Sequence, residues 1–106
     1  MKPLVLLVRL IVRDGKTREF QEFERAAAKI MRKHGGRIER VMRPESSTMT
    51  GAAIPSEIHW VTFPDQEAFD AYRADPELAA LAPKREAAIE RTEIVFGRDA
   101  ESYNES

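Results

Sequence analysis

The stretch Leu4-Val5-Leu6-Leu7-Val8-Arg9-Leu10-Ile11-Val12 decides how the rest of the chain is read. Its even positions (Leu4, Leu6, Val8, Leu10, Val12) and its odd positions (Val5, Leu7, Ile11) are both apolar, so the usual alternation of a half-buried strand is absent. A short run of Leu and β-branched residues, bounded by Pro3 and by Asp14-Gly15, reads as a strand covered on both faces. It contains only the five apolar residues Leu4 to Val8 before Arg9 breaks it. A signal peptide needs an apolar region of roughly 7–15 residues and a membrane span about 20. The chain is therefore expected to be cytoplasmic, with no membrane partner.

Downstream, residues 16–34 carry Phe20, Phe23, Ala27, Ile30 or Met31, and His34 at three- and four-residue steps, the stripe of an amphipathic helix. Acidic residues near its start and Arg32, Lys33 and His34 at its end suit the helix dipole, and Gly35 supplies a left-handed stop. Residues 37–43 are a charged strand suited to a sheet edge. The stretch from Pro44 to Pro55, rich in small and polar residues, is expected to be an exposed, mobile loop. Residues 57–63 form a third strand, with Ile58, Trp60 and Thr62 on one face and Glu57, His59, Val61 and Phe63 on the other. Apolar groups on both faces place it in the sheet centre. Asp65 caps a short helix to about Arg73, and Asp75-Pro76 starts another that carries Leu78, Leu81, Ala82, Ala88 and Ile89, with a kink or restart at Pro83. Thr92 to Phe96 is the fourth strand, stopped at Gly97.

The order β-α-β-β-α-β defines an α+β, ferredoxin-like domain over residues 1–97, with an antiparallel sheet in the order 4-1-3-2 and a polar tail at 98–106. Helices cover one face of such a sheet. Strands one and three, central in that order, would leave their second apolar face wet, at roughly 1.5–3 kcal/mol for each large side chain. A second copy packed face to face removes that exposure, so a homodimer is expected.

Composition narrows the function classes. Hydrophobic residues make up 42% and charged residues 33%, and 17 Lys and Arg against 18 Asp and Glu leave a net charge of -1. A nucleic-acid binder normally carries a basic excess, and the central strands lack the interleaved aromatic and basic residues that base stacking needs. With no Cys, disulfides and thiolate chemistry are excluded, and two His without ligand spacing argue against a metal centre. No phosphate-binding Gly loop, dinucleotide fingerprint or Ser-His-Asp order occurs, so no cofactor is expected.

Asp14 before an aromatic helix ending His34-Gly35-Gly36-Arg37, a strand ending in Phe63, then Asp75-Pro76-Glu77-Leu78 and Pro83-Lys84-Arg85-Glu86-Ala87-Ala88: this succession resembles the short uncharacterised bacterial proteins of the dimeric α/β-barrel superfamily. That superfamily includes the antibiotic-biosynthesis-monooxygenase-like proteins. The resemblance spans about residues 4–97 and implies two ferredoxin-like subunits whose sheets pack into one barrel. The loop Pro44–Pro55 and Lys84 depart from its pattern. Haem-degrading relatives use a Trp, a His and an Asn; here the only Asn is Asn104 in the tail, so that role is not carried over.

The candidate catalytic residues are His59, His34 and Arg9. His59, on a central strand, is either a hydrogen-bonded core imidazole or a proton-transfer group facing a cavity. His34 is either a helix-terminal dipole partner or a general base. Arg9, the one charge in an apolar strand, either pairs with Glu57, Glu93 or Glu39 across the sheet or binds an anion. Trp60, Phe63, Phe23, Tyr72 and Arg85 are the candidate ligand-binding residues, with dimer-interface packing the other reading of Trp60. Two functions follow: binding of a small apolar or amphipathic molecule between helices and sheet, or cofactor-independent monooxygenase or isomerase chemistry on a small aromatic or polyketide-like substrate.

Overall fold

A computed structural model describes residues 2–104; Met1 and the last two residues of the expected polar tail lie outside the described residues. The elements are β1 (Leu4–Val12), α1 (Thr17–Lys33), β2 (Arg37–Met42), β3 (Glu57–Phe63), α2 (Gln66–Arg73), α3 (Pro76–Ala79), α4 (Ala82–Ala88) and β4 (Ile89–Gly97). The four strands form one antiparallel sheet in the order β2-β3-β1-β4, the ferredoxin-like arrangement. The charged β2 is at an edge, and β1 and β3 occupy the centre.

Register separates the two faces. Leu4, Leu6, Val8 and Leu10 of β1 lie opposite Phe63, Val61, His59 and Glu57 of β3. These pairs face the helices, and all but Val8 are buried. Leu7 lies opposite Trp60, and Arg9 opposite Ile58; these look out from the other face, where Trp60 is 39% exposed. α1 buries Phe20, Phe23, Ala27, Ile30 and Met31 against the sheet. The core falls into two clusters. One is built around Leu6, Met31, Val61 and Phe63, the other around Leu10, Phe20, Phe23 and Ala27. Val8 packs against both.

Chain reversals follow local chemistry. Gly35 adopts φ 76° after α1, while the amides of Gly35 and Gly36 reach the carbonyls of Arg32 and Met31. Asp65 accepts from the Ala68 amide at 2.8 Å, and Asp75 from the Glu77 amide at 2.8 Å, starting α2 and α3. Pro83 sits in the first turn of α4, so the second helical region restarts there. One assignment is corrected: Ile89, expected in the helix, begins β4. It pairs with Val12 at the end of β1, past an irregularity between Ile11 and Val12. Its amide still donates to the Arg85 carbonyl as the C-cap of α4, while its extended backbone (φ -111°, ψ 120°) turns the chain into the strand.

The loop from Pro44 to Pro55 contains no helix or strand. It is anchored at its end, where the Ser56 amide donates to the Leu10 carbonyl at 2.7 Å and the Ser56 hydroxyl accepts from the Val12 amide at 2.8 Å. Among the described residues no helix is long and apolar enough to cross a membrane.

Gly36 lies where α1 meets β3: a Cβ there would come within 2.6 Å of the Phe63 ring and 2.7 Å of Met31 Cγ. Phe63 is 1% exposed and has nowhere to retreat. Gly36→Ala is expected to lower stability by about 1–3 kcal/mol in urea denaturation. Gly97→Ala, with open space at its Cβ, serves as the near-neutral comparison; equal effects at the two positions would refute the close packing.

Candidate functional site

Between the helices and the sheet lies a cavity of about 420 Å³, within the range of small-molecule sites. Leu6, Val8 and Leu10 of β1 form its floor, with Val61 and Phe63 of β3 beside them. α1 contributes Phe23, Ala27 and Met31. Phe69 and Tyr72 of α2, Leu78 of α3 and Phe96 of β4 close the far side. The aromatic rings brace one another: Phe63 and Phe69 are edge to face at 5.3 Å, and Phe69 meets Phe96 in the same way at 5.4 Å.

Polar groups enter this apolar space at a few points. His59 is 4% exposed; its Nε2 is 2.8 Å from Glu57 Oε1, and its Nδ1 is 3.9 Å from Glu24 Oε2. The other Glu57 oxygen accepts from Arg43 Nε at 3.0 Å. Glu24, His59, Glu57 and Arg43 thus form a row from the cavity wall to the protein surface. Burial pushes the Glu24 carboxyl above its usual value; the neighbouring His59 opposes this, Glu57 adds to it, and Arg85 opposes it. Tyr72 is pushed up to about 12, mainly by burial and then by the Glu24 charge, against a smaller opposing effect of Arg85, so it keeps its proton and can donate. Arg85 donates to the Thr92 hydroxyl at 2.9 Å, and both border the cavity.

His59, Phe63, Phe23, Tyr72 and Arg85 therefore line one cavity, while three other candidates lie elsewhere. His34 ends α1, with its Nε2 2.8 Å from Asp75 Oδ2 and Lys33 Nζ 3.0 Å from the same oxygen. This cluster fastens the end of α1 to the start of α3. It also holds the Asp75 carboxyl down at about 2, chiefly through His34, then the Glu77 amide and Lys33. Trp60 projects from the opposite face because its place in the alternation of β3 is opposite to that of His59. Arg9 does so too, and the cross-sheet pairing expected for it does not form. Glu57 is held by Arg43, Glu93 by Arg91 and Glu39 by Arg37, whereas Arg9 forms no ion pair with a described residue. Arg9 is half-buried on the sheet face away from the helices, beside the Pro44–Pro55 loop, and its guanidinium keeps access to water.

Glu24 was not among the sequence candidates. It interrupts the stripe that includes Phe20, Ala27 and Met31, and a charged residue at a core-facing position is the signal that marks it. Among the described residues no group of three or more His, Asp or Glu side chains is placed to hold a metal.

A two-layer sheet-and-helix fold with a cavity between its layers defines a ferredoxin-like α+β protein. Within that class the chain belongs to the family described as Domain of unknown function (DUF1330), which matches residues 7–97. No curated protein matches the sequence. Among solved structures, a protein of unknown function from Rhodopseudomonas palustris is similar at a TM-score of 0.84 and 15% identity, over 94% of this chain and 84% of that one. SnoaB, a cofactor-independent oxygenase from Streptomyces nogalater, is similar at a TM-score of 0.72 and 17% identity, over 99% of this chain and 100% of its own. A DABB family protein with a ferredoxin-like fold from Mesorhizobium loti follows at a TM-score of 0.68 and 17% identity, covering 95% of this chain and 100% of that one. At these identities the shared property is the fold.

Burial of Glu24 has a measurable consequence. The folded chain holds the Glu24 proton more tightly than the unfolded one, so ionisation favours unfolding. The destabilisation is absent well below 4.5, grows as pH rises through that value, and is complete once the folded-state carboxyl has ionised. Glu24→Gln is therefore expected to gain stability relative to the parent as pH rises through 4.5 and above it. A difference in melting temperature that stays flat over that rise would refute this.

Proposed function

We propose that this protein binds a small, mainly apolar molecule with one polar head group in the cavity between helices and sheet, and that it does so as a homodimer joined through the uncovered sheet faces. The observation that carries the first part is a partly open, mainly apolar space with a few polar groups, Glu24, His59, Tyr72 and Arg85 among them, at its wall. Such a space discriminates by size, while its polar groups fix orientation. The second reading, a cofactor-independent monooxygenase or isomerase acting on a small aromatic or polyketide-like substrate, draws on the nearness of the Glu24 carboxylate to the His59 imidazole at that wall. The SnoaB fold is compatible with it.

The dimer is supported by shape and by surface. The described chain measures 46 × 36 × 18 Å, with a radius of gyration of 14.8 Å, against about 13 Å for a compact domain of this length. It is a thin slab with one sheet face lacking a helical layer. That face carries Val5, Leu7 and Ile11 of β1, Ile58 and Trp60 of β3, and Val95 of β4. Covering them removes apolar area from water at about 25 cal/mol per Å².

Two measurements test these readings. Isothermal titration with 2-naphthol, an aromatic body with one hydroxyl, is expected to show saturable binding. Ala27→Leu, which fills part of the cavity beside Phe23, should weaken it at least tenfold; undiminished binding by that variant would place the ligand elsewhere. Separately, light scattering should find that Leu7→Lys and Trp60→Lys shift the population to monomer. Unchanged, well-folded dimers in both would refute the interface.

A further inference from the structure

We propose that Glu24 and His59 form a proton relay, in which Glu24 takes a proton from an enolisable or phenolic ligand in the cavity and His59 passes it to Glu57 toward the surface. This rests on the cavity being a ligand site, and deepens that reading by naming the chemistry its polar wall performs.

The placement of four side chains carries the inference. Glu24 reaches the cavity from α1, and His59 from β3. The imidazole stands between two carboxylates, Nδ1 toward Glu24 at 3.9 Å and Nε2 bonded to Glu57 at 2.8 Å. An imidazole is the side chain that can receive a proton on one nitrogen while releasing one from the other. Glu57 is turned outward by exposed Arg43, and both residues border a surface depression with Asp14 and Ser56. The 3.9 Å separation is longer than a hydrogen bond, and proton-transfer contacts are often long without ligand and tighten only in a complex. A structural histidine needs only the Glu57 bond, whereas the second carboxylate on its other side is held there at a desolvation cost.

The step balances without a further reactant. The ligand C–H bond breaks, its proton goes to a Glu24 oxygen, and its electron pair stays on the ligand as an enolate. Tyr72 and Arg85 at the cavity wall stabilise the enolate oxygen. Return of a proton to the same carbon completes the exchange, and the ligand is neither oxidised nor reduced. Burial makes Glu24 a stronger base than an exposed carboxylate once it is ionised.

The experiment follows hydrogen–deuterium exchange at the α-carbons of 2-tetralone in deuterated buffer by NMR, with 2-naphthol titration as the binding control. The intact protein is expected to accelerate exchange at least 100-fold over buffer, as positioned general bases do. Glu24→Gln should abolish most of that acceleration while 2-naphthol still binds, and His59→Gln should reduce it. Glu22→Gln, an exposed carboxylate on α1, should leave it unchanged. Binding of 2-naphthol without accelerated exchange, or exchange undiminished in Glu24→Gln, overturns the relay and leaves the binding site standing. No binding of 2-naphthol overturns the site itself, and the relay with it.

Discussion

β1 is the strand on which every other element depends. It is hydrogen-bonded to β3 along one edge and to β4 along the other, so its backbone groups are satisfied from both sides. Its side chains divide between two layers: Leu4, Leu6 and Leu10 are buried beneath the helices, and Leu7, Arg9 and Ile11 stand half-buried on the face away from them, where they border a pocket with residues of the Pro44–Pro55 loop. Displacing this strand by one residue would exchange the two sets and put Arg9 into the core. Both the position of the cavity and the character of the outer face therefore follow from its register.

The cavity lies where the core is divided. One cluster closes around Phe63 and the other around Phe20 and Phe23, and Val8 joins them. A gap between tightly packed clusters loses dispersion contacts along its lining, and placing Glu24 against it adds a desolvated carboxyl. A chain selected for stability alone would fill that space and replace that residue. Both features lower stability, and that is the physical ground on which the proposed ligand site is placed here.

Much of the architecture was legible in the residues. The unbroken apolar run of β1, the Asp65 and Asp75 caps and the Gly35 stop all act over a few neighbouring positions, so sequence alone places the strands, helices and sheet order. Ile89 was misplaced because its surroundings, Ala87-Ala88-Ile89-Glu90, suit a helix, and only the ladder with Val12 draws it into β4. Of the two readings of Arg9, cross-sheet pairing fails for a related reason. Glu57, Glu93 and Glu39 had the required charge, but other arginines reach them first, and competition among many charges is set by tertiary distance. Phe23, Phe63, Tyr72 and His59 meet at one cavity because each sits on the core side of its own element. Glu24 escaped notice because charged residues on a helix are normally read as solvent-facing.

The helical layer is assembled unevenly. α1 is a single 17-residue helix, whereas α2, α3 and α4 have only eight, four and seven residues. Helices that short hold together through packing rather than through their own hydrogen bonds. The lining contributed by Tyr72, Leu78 and Arg85 therefore comes from short helices that depend on packing for their shape, whereas Glu24 and His59 come from the long α1 and from β3. The two sides of the cavity are thus built differently: one from a long helix and the sheet, the other from short segments that depend on their neighbours for their shape.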